Sequence, residues 1–352
     1  QPTPQSILCL ASYKALQEYK WCKLLTLSTH VEGVFTRQIF DPKEEARLKP
    51  TIPALQKITD KVSSRVREQY EGNPYPRWVN LGLTVNSITV FTMVKKLNLR
   101  LCNKAILDVA SPNILIAGCG TGQHSIETAS TIKNSKVLGV DLSLSSLAYA
   151  KRKTEELGLQ NLEYMQADIL DLEKLDRKFD VIESSGVLHH MDKPMAGWKI
   201  LTNCLSPGGL MKIGLYSEIA RQNIVEMRNE INQLEVELGD DTMRSFRNTV
   251  INSDEEHHKQ IFTSLDFYSL STLRDLLFHV QEHRFSMPQI KTCLDELGLK
   301  FCGFESKEIV SDFKQSNPDP GHLFDLDKWH SYEEANPNKF LGMYQFWCQR
   351  IV

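Results

Sequence analysis

Residues 114–124 read ILIAGCGTGQH, an apolar run that passes directly into three closely spaced glycines and a polar segment. A short apolar run followed by a glycine-rich turn predicts a buried strand that leads into a helix. Glycine lets the backbone adopt positive φ and approach a ligand closely, and the first turn of the helix leaves N–H groups free to bind one. The stretch therefore predicts a ligand-binding turn, although a plain strand–turn–helix junction has the same pattern.

Segments of strand length and of helix length alternate around this turn. The strand-like runs are Asn113–Ala117, Lys136–Val140, Leu162–Gln166, Phe179–Ile182 and Leu210–Tyr216. This alternation predicts βαβ units and a parallel sheet covered on both faces. Two later runs, Leu299–Glu305 and Phe340–Arg350, are predicted to complete the sheet, with an antiparallel pair at its edge. We therefore predict an α/β fold, a Rossmann-like doubly wound sheet of seven mostly parallel strands.

The rest of the chain is predicted to be helical. Residues 1–110 form an N-terminal extension with a turn-rich flap segment, and residues 111–352 form the main domain. A helical insertion at about 218–298 follows the fifth strand, and we expect it to roof the active site together with the extension. The chain begins at Gln1 without an initiator methionine. We therefore expect the sequence to be part of a longer protein or an expressed fragment of one.

Composition narrows the class of partner and the compartment. The net charge of −3 provides no strong field for nucleic acid or for an anionic membrane surface, so we expect neither as a partner. No apolar run approaches the roughly 18 residues that suggest a membrane span. The eight cysteines form no C-x-x-C pair, which favours reduced thiols and a cytoplasmic location. The sequence leaves the oligomeric state open.

Two acids follow strands in register with the glycine turn. Asp141 ends the second strand-like run, where a carboxylate can accept both hydroxyls of a ribose. Asp168 follows the third run and is predicted to lie near the amino group of an adenine. Either acid alone is as readily a helix N-cap. Together with the turn, they predict a nucleoside-type cofactor site.

Residues 113–216 resemble the catalytic core of class I S-adenosylmethionine-dependent methyltransferases. The resemblance implies S-adenosyl-L-methionine as cofactor and S-adenosyl-L-homocysteine as product. The glycine spacing G-x-G-x-G differs from the G-x-G-x-x-G of dinucleotide sites, which disfavours a nicotinamide-dependent oxidoreductase. The cofactor-binding residues that the resemblance to methyltransferases implies are Gly118, Cys119, Gly120, Gly122, Asp141, Leu142, Asp168, Ile169 and Ser184.

A narrower resemblance concerns the flap. Residues 69–78, QYEGNPYPRW, together with residues 274–285 and 343–347, resemble bacterial methyltransferases that are often fused to tetratricopeptide repeats. No such repeat is found in this sequence. The resemblance therefore implies an architecture and not a substrate.

The segment after the fourth strand supplies the predicted catalytic residues. In class I methyltransferases this segment faces the transferred methyl group, and here it reads FDVIESSGVLHHMDKP at 179–194. It lacks the Asp/Asn-Pro-Pro-aromatic pattern of enzymes that methylate base amino groups. His189 and His190 are the predicted catalytic residues, with His189 as a general base, because histidine accepts a proton near neutral pH. A structural role for one of them is the alternative.

Two segments are predicted to bind the acceptor. Tyr75 and Arg77 lie in the flap, which could instead be a rigid linker. The others are Tyr216, His279, His283 and Arg284. Residues 279–283, HVQEH, match the H-x-x-E-H zinc-protease pattern, but no further ligand stands out. We predict no metal and expect a lid, with ordinary helix packing as the alternative.

The predicted function is methyl transfer from S-adenosylmethionine to an unidentified acceptor, a small molecule or a protein side chain. Fold alone does not establish activity. A non-catalytic cofactor-binding regulatory module of the same fold is the main alternative, and cofactor binding without turnover would favour it. A metalloprotease would require stoichiometric zinc at His279 and His283.

Overall fold

The structure is a computed structural model that describes residues 2–26, 29–83, 86–234 and 239–351. Its described residues form one sheet of seven strands in the order β3-β2-β1-β4-β5-β7-β6. The strands are β1 Asn113–Ala117, β2 Lys136–Asp141, β3 Leu162–Gln166, β4 Phe179–Ser185, β5 Leu205–Leu215, β6 Leu299–Phe304 and β7 Tyr344–Arg350. The first five pair in parallel, and β7 lies antiparallel between β5 and β6. This arrangement confirms the predicted seven-stranded Rossmann-like sheet.

Helices cover both faces of the sheet, as the continuous apolar strands require. The helices of the main domain are α6 Gln123–Thr131, α7 Leu144–Glu156, α8 Pro194–Cys204, α13 Met287–Glu296, α14 Lys307–Ser316 and α15 Leu326–Ala335. One apolar core lies between the sheet and α8, α13, α14 and α15, and it includes the fully buried Trp198 and Trp329. The other core lies beneath α6 and α7. The carboxyl ends of the parallel strands remain uncovered by these layers.

The N-terminal extension packs against the β3 edge of the sheet. Its helices are α1 Pro4–Tyr13, α2 Glu32–Phe35, α3 Asp41–Leu48, α4 Lys61–Gly72 and α5 Val90–Leu97. Leu55 donates its N–H to the carbonyl of Gln166 at 2.9 Å, and Gln166 donates to the carbonyl of Pro53 at 2.8 Å. The edge of β3 is therefore paired. Asp60 caps α4 by accepting from the N–H of Ser63 at 2.8 Å.

The insertion after β5 has an apolar core of its own. Its helices are α9 Gln222–Gln233, α10 Asp240–Ile251, α11 Glu256–Gln260 and α12 Leu270–Leu277. Met227, Phe246 and Leu273 are among the buried side chains that these helices share. Helix α13 lies within the predicted insertion at about 218–298 but packs Ile290 and Leu294 into the core of the sheet, so we describe it with the main domain. Within the described residues, no helix has the length and apolarity to cross a membrane.

Candidate active site

A cavity of about 320 Å³ lies at the carboxyl ends of the parallel strands. Residues 118–120 after β1 line it together with Asp141 after β2 and Asp168 after β3. Residues 185–187 after β4 and Tyr216 after β5 line its other end. Strand order reverses between β1 and β4, and in open α/β sheets ligands bind at such a switch point.

Glycine is required at the floor of this cavity. Gly118 and Gly120 have φ values of 78° and 52°, in the left-handed region. A Cβ at Gly118 would lie 2.2 Å from Cγ2 of Val187, and a Cβ at Gly120 would lie 2.8 Å from the carbonyl oxygen of Tyr75. Glycine is therefore needed at both positions by the left-handed backbone and by the close packing of Val187 and Tyr75, and both glycines line the cavity.

Asp141 faces the cavity from the end of β2. Its Oδ2 accepts from the N–H of Gly120 at 2.8 Å, and its Oδ1 accepts from the N–H of Ser143 at 2.9 Å. Burial raises the pKa of this carboxyl, and these backbone donors oppose the rise. A carboxylate oxygen accepts more than one hydrogen bond, so both oxygens keep capacity for hydroxyl donors.

Asp168 plays two parts at the end of β3. It accepts from the N–H of Leu170 at 3.0 Å and caps the 3₁₀ segment Ile169–Leu175. Burial raises the pKa of its carboxyl, while the hydroxyl of Ser63, on α4, donates to the carboxyl and lowers it. Capping and ligand binding are thus compatible here, since the same carboxylate lines the cavity.

Helix α4 of the extension lies over the cavity. Ser63, Val66 and Tyr70 line it and recur at the spacing of one helix face. The hydroxyl of Tyr70 donates to Oδ1 of Asp275, on α12 of the insertion, at 2.5 Å. Extension and insertion therefore meet above the cavity and form its roof.

The flap segment is fastened to the glycine turn. Trp78 donates its indole N–H to the carbonyl of Thr121 at 3.2 Å, and the hydroxyl of Thr121 donates to the carbonyl of Pro76. Tyr75 lines the cavity beside these contacts. The flap is therefore a wall of the site, as its aromatic residues predicted. Arg77 instead lines a separate surface hollow beside Glu45 and cannot be placed in the cavity.

Tyr216 is held in place on both sides. Its ring stacks on His189 with 3.9 Å between ring centroids, and the guanidinium of Arg221 lies 3.6 Å from the ring centroid. Arg221 is itself buried and paired with Glu282 at 2.8 Å. The ring of Tyr216, which lines the cavity, is therefore held by these two contacts.

The two predicted catalytic histidines differ in location. His190 lines the cavity, and its Nδ1 donates to the carbonyl of Gln281 at 2.6 Å. His189 is fully buried outside the lining, and its ring nitrogens have no hydrogen-bond partner in the described part of the chain. Burial holds the pKa of both rings well below the ordinary value. The expected general-base position of His189 is therefore corrected: this ring supports Tyr216 from behind.

The predicted lid residues also lie elsewhere. Residues 279–283 form an irregular segment and not a helix, so the two histidines of HVQEH do not share a helix face. His279 stacks behind His190 at 3.6 Å between centroids. His283 and Arg284 lie outside the lining, and Arg284 pairs with Glu218 at 3.2 Å.

The predicted cofactor residues are brought together with few exceptions. Those that line the cavity are Gly118, Cys119, Gly120, Asp141, Leu142, Asp168 and Ile169. Gly122 lies outside because it packs against α7, where a Cβ would meet Ala150 at 2.5 Å. Ser184 is buried behind the lining, and the next residue, Ser185, takes its place.

Two buried acids, Asp275 and Glu183, were not predicted as site residues from the sequence. Asp275 is 8% exposed at the roof, and burial raises its pKa to about 6. Glu183, at the end of β4, accepts from His124 at 2.5 Å and lies 3.9 Å from Nζ of Lys212. Burial opposes ionisation of Glu183, but His124 and Lys212 hold its pKa near 2. Both acids lie in segments that the sequence singled out, 179–194 and 274–285, but their partners come from distant segments and gave them no predicted role.

A group of potential metal ligands lies in the insertion, apart from the cavity. Nε2 of His257 and Nε2 of His258 are 2.5 and 2.9 Å from the two carboxylate oxygens of Glu230. Ligands about 2.0–2.2 Å from a zinc ion lie farther from one another than this. The three side chains therefore contact one another directly as hydrogen-bonded pairs.

The chain is similar to known methyltransferases over part of its length. Residues 114–209 match a family model described as a methyltransferase domain. An uncharacterized protein of Synechococcus sp. is 26% identical over 242 residues, which cover 66% of this chain and 58% of that protein. The ubiquinone/menaquinone biosynthesis C-methyltransferase UbiE of Bdellovibrio bacteriovorus is 28% identical over 110 residues, covering 31% of this chain and 46% of that protein.

A solved structure extends the likeness in fold to most of the chain. PKMT2 from Rickettsia typhi, in complex with AdoHcy, is 17% identical with a TM-score of 0.56. The match covers 79% of this chain and 55% of that chain. The chain thus spans little more than half the length of these two proteins, the Synechococcus relative and PKMT2.

The seven-stranded sheet and the family match together show a methyltransferase domain with a Rossmann-like fold in this chain. The family match places the methyltransferase domain at residues 114–209, from β1 into β5.

Proposed function

We propose that the protein transfers a methyl group from S-adenosylmethionine to an acceptor held beneath the roof of α4 and α12. The observation that carries this proposal is the continuous cavity, which runs from Asp141 and Asp168 to Tyr216 and Asp275. Its first part has the groups that a nucleoside needs, and its second part is lined by Tyr75, Tyr216 and Asp275. Such a division suits a cofactor and an acceptor that meet end to end.

The residues present fit the cofactor. Asp141 would accept the ribose hydroxyls, Asp168 would lie by the adenine, and the turn at Gly118 and Gly120 would lie beneath the methionine part. The sulfonium of the cofactor supplies an already activated methyl group. The protein is then left to align the acceptor and to exclude water, which the roof accomplishes by closing the cavity.

The size of the cavity bears on the acceptor. Pockets for small ligands range over roughly 300–1,000 Å³, and this one lies at the lower end. We propose that the acceptor end admits a small molecule or a slender side chain of a protein. A wide, rigid acceptor would require the hydrogen bond between Tyr70 and Asp275 to open.

The closed roof also favours a second candidate, a regulatory module that binds the cofactor without turnover. Extension and insertion are joined by the contact of Tyr70 with Asp275 and by a hydrogen bond from Asn73 to the carbonyl of Ser271 at 3.3 Å. Cofactor binding without methyl transfer to any acceptor would support this candidate.

The cysteines, the net charge and the flap segment suggest a location and partners. We propose a cytoplasmic protein, because its eight cysteines are free and five of them are buried. We propose neither nucleic acid nor membrane as a partner, given the net charge of −3. The resemblance of the flap to methyltransferases fused to tetratricopeptide repeats leads us to propose that such a repeat region accompanies this domain.

The test is calorimetric titration of S-adenosylmethionine and S-adenosylhomocysteine into the wild-type protein and an Asp141→Ala variant. Asp171→Ala is the matched control, a nearby carboxylate outside the cavity. We expect micromolar binding to the wild type and the control, and a loss of at least about tenfold for Asp141→Ala, as for a hydrogen-bonded charged group. Equal binding to all three proteins would contradict the assignment of Asp141.

A further inference from the structure

The end of the cavity near Tyr216 contains a carboxylate that the cofactor does not require. Asp275 lines the cavity from α12 and accepts a hydrogen bond from Tyr70. Asp141 and Asp168 already occupy the ends of β2 and β3, where a nucleoside would lie. Asp275 is thus a third acid, supplied by the insertion and aimed at the acceptor end.

The charge of the lining favours a cationic ligand. Among the described residues that line the cavity, carboxylates occur but neither lysine nor arginine does; the acids are Glu127, Asp141, Asp168 and Asp275. The guanidinium of Arg221 is close by, but it lies against the ring of Tyr216 and pairs with Glu282. A carboxylate or phosphate acceptor would therefore meet repulsion in a poorly solvated space, whereas an ammonium group would be attracted.

Two phenols complete this end of the cavity. Tyr75 lines it from the flap, and Tyr216 lines it from the end of β5. Phenolic oxygens accept N–H donors, so an ammonium group with several N–H bonds finds a carboxylate and hydroxyl oxygens together. A neutral hydroxyl or thiol acceptor has one hydrogen to donate and no charge to balance Asp275.

We propose that the acceptor is an amine that enters as an ammonium ion, and that Asp275 receives the proton it loses. The proposal rests on the methyltransferase function proposed above. One N–H bond of the ammonium breaks and its proton moves to the carboxylate of Asp275. The freed nitrogen lone pair forms the bond to the methyl carbon. The carbon–sulfur bond breaks, its electron pair stays on sulfur, and a thioether and an N-methylammonium ion result.

The surroundings of Asp275 suit this role better than those of the histidines. Burial raises the pKa of Asp275 to about 6, so its carboxyl takes up a proton more readily than an ordinary aspartate does. Tyr70, Asp266, Arg221 and Glu282 are the charged or titratable groups that act on it. His190 also reaches the cavity, but burial holds its pKa well below the ordinary value and makes it a weak base.

The experiment compares n-butylamine, a cation at neutral pH, with 1-butanol, a neutral molecule of similar size. Each is titrated into the protein alone and into the protein saturated with S-adenosylhomocysteine. We expect the amine to bind about tenfold or more tightly than the alcohol, as a charge-assisted hydrogen bond implies. Asp275→Asn should abolish this preference, whereas Asp266→Asn, an acid nearby but outside the lining, should retain it.

Several outcomes would overturn the amine assignment. Equal affinity for the two probes would do so, and so would a preference that survives in Asp275→Asn. A loss of S-adenosylmethionine binding but not of S-adenosylhomocysteine binding in that variant would show that Asp275 contacts the sulfonium instead. Binding of S-adenosylhomocysteine without an amine preference contradicts this inference alone, while an amine preference without cofactor binding contradicts the proposed function.

The wild-type protein provides a second test that does not depend on the folding of a variant. Protonation of Asp275 removes its charge, so the preference for the amine should decline as the pH is lowered through about 6. A preference that stays constant as the pH is lowered from about 7 to about 5 would contradict the role of Asp275.

Discussion

Tyr70 and Asp275 are hydrogen-bonded at 2.5 Å although they belong to two separate additions to the sheet domain, the N-terminal extension and the insertion after β5. Both side chains line the cavity, so this contact joins the two parts of the roof, together with the hydrogen bond from Asn73 to Ser271, and it also places a carboxylate in the cavity. The two additions therefore act together, and neither would form the roof alone.

The contact between these residues predicts the behaviour of Tyr70→Phe. The variant loses a hydrogen bond to a carboxylate, and we expect the free energy of unfolding to fall by about 1–3 kcal/mol. Backbone amides of α4 should exchange with solvent faster, because the helix is released from α12. Hydrogen exchange measured by mass spectrometry tests this. Tyr268→Phe is the control, since its exposed hydroxyl bonds only the carbonyl of Phe262 at 3.0 Å.

Asp275 predicts an unusual dependence of stability on pH. Its pKa is about 6 in the folded protein against an ordinary value of 3.8, so the folded state binds this proton more tightly. The contribution of Asp275 to stability should therefore fall as the pH rises from about 4 to about 6, by about 2–3 kcal/mol. Urea unfolding of wild type and Asp275→Asn across this range measures the difference. Asp241→Asn, fully exposed, should show no such difference.

Glu183 should give the opposite dependence of stability on pH. Its pKa is about 2 in the folded protein against an ordinary value of 4.5, so it stabilises the fold above pH 4.5 and loses this effect as the pH falls toward 2. Glu183→Gln should lower the free energy of unfolding by about 3 kcal/mol at neutral pH, because His124 loses its carboxylate partner, while Lys212 keeps its ion pair with Glu305. Glu163→Gln, at an exposed position on β3, is the control. Equal stability of the two variants would show that the ion pairs contribute little.

Substitution of Gly120 should weaken cofactor binding beyond its effect on stability. Gly120→Ala and Gly158→Ala both place a side chain at positive φ, which costs about 1 kcal/mol. A Cβ at Gly120 also meets the carbonyl of Tyr75 at 2.8 Å, whereas none of the atoms described around Gly158 lies within 4 Å. We expect only Gly120→Ala to lose S-adenosylhomocysteine binding, measured by calorimetry. Similar binding by both variants would place the cofactor away from this turn.

The sheet was predictable because each of its strands is a local signal. The predicted runs 113–117 and 162–166 match β1 and β3 residue for residue. Both are short apolar segments bounded by turns, and the order of parallel strands follows from their connections. The cofactor end of the cavity was predictable for the same reason, since the glycine turn, Asp141 and Asp168 each adjoin a strand end.

The acceptor end was less predictable because distant segments form it. Asp275 and Tyr70 are far apart in sequence, and although they lie in the segments 274–285 and 69–78, that resemblance implied no role for either side chain. His189 and His190 are adjacent, yet the short 3₁₀ turn Leu188–His190 turns one ring behind Tyr216 and the other toward the cavity. The pattern HVQEH predicted a helix face, but its segment is irregular. Tertiary contacts determine these positions, and the local sequence does not encode them.

A crystal structure of the protein with bound S-adenosylhomocysteine would show directly which end of the cavity holds the cofactor. We expect the ribose hydroxyls within hydrogen-bond distance of Asp141 and the adenine beside Asp168. The sulfur should face the space between Tyr216 and Asp275. Cofactor bound elsewhere, or with its amino acid part in contact with Asp275, would contradict the assignment of the two ends of the cavity.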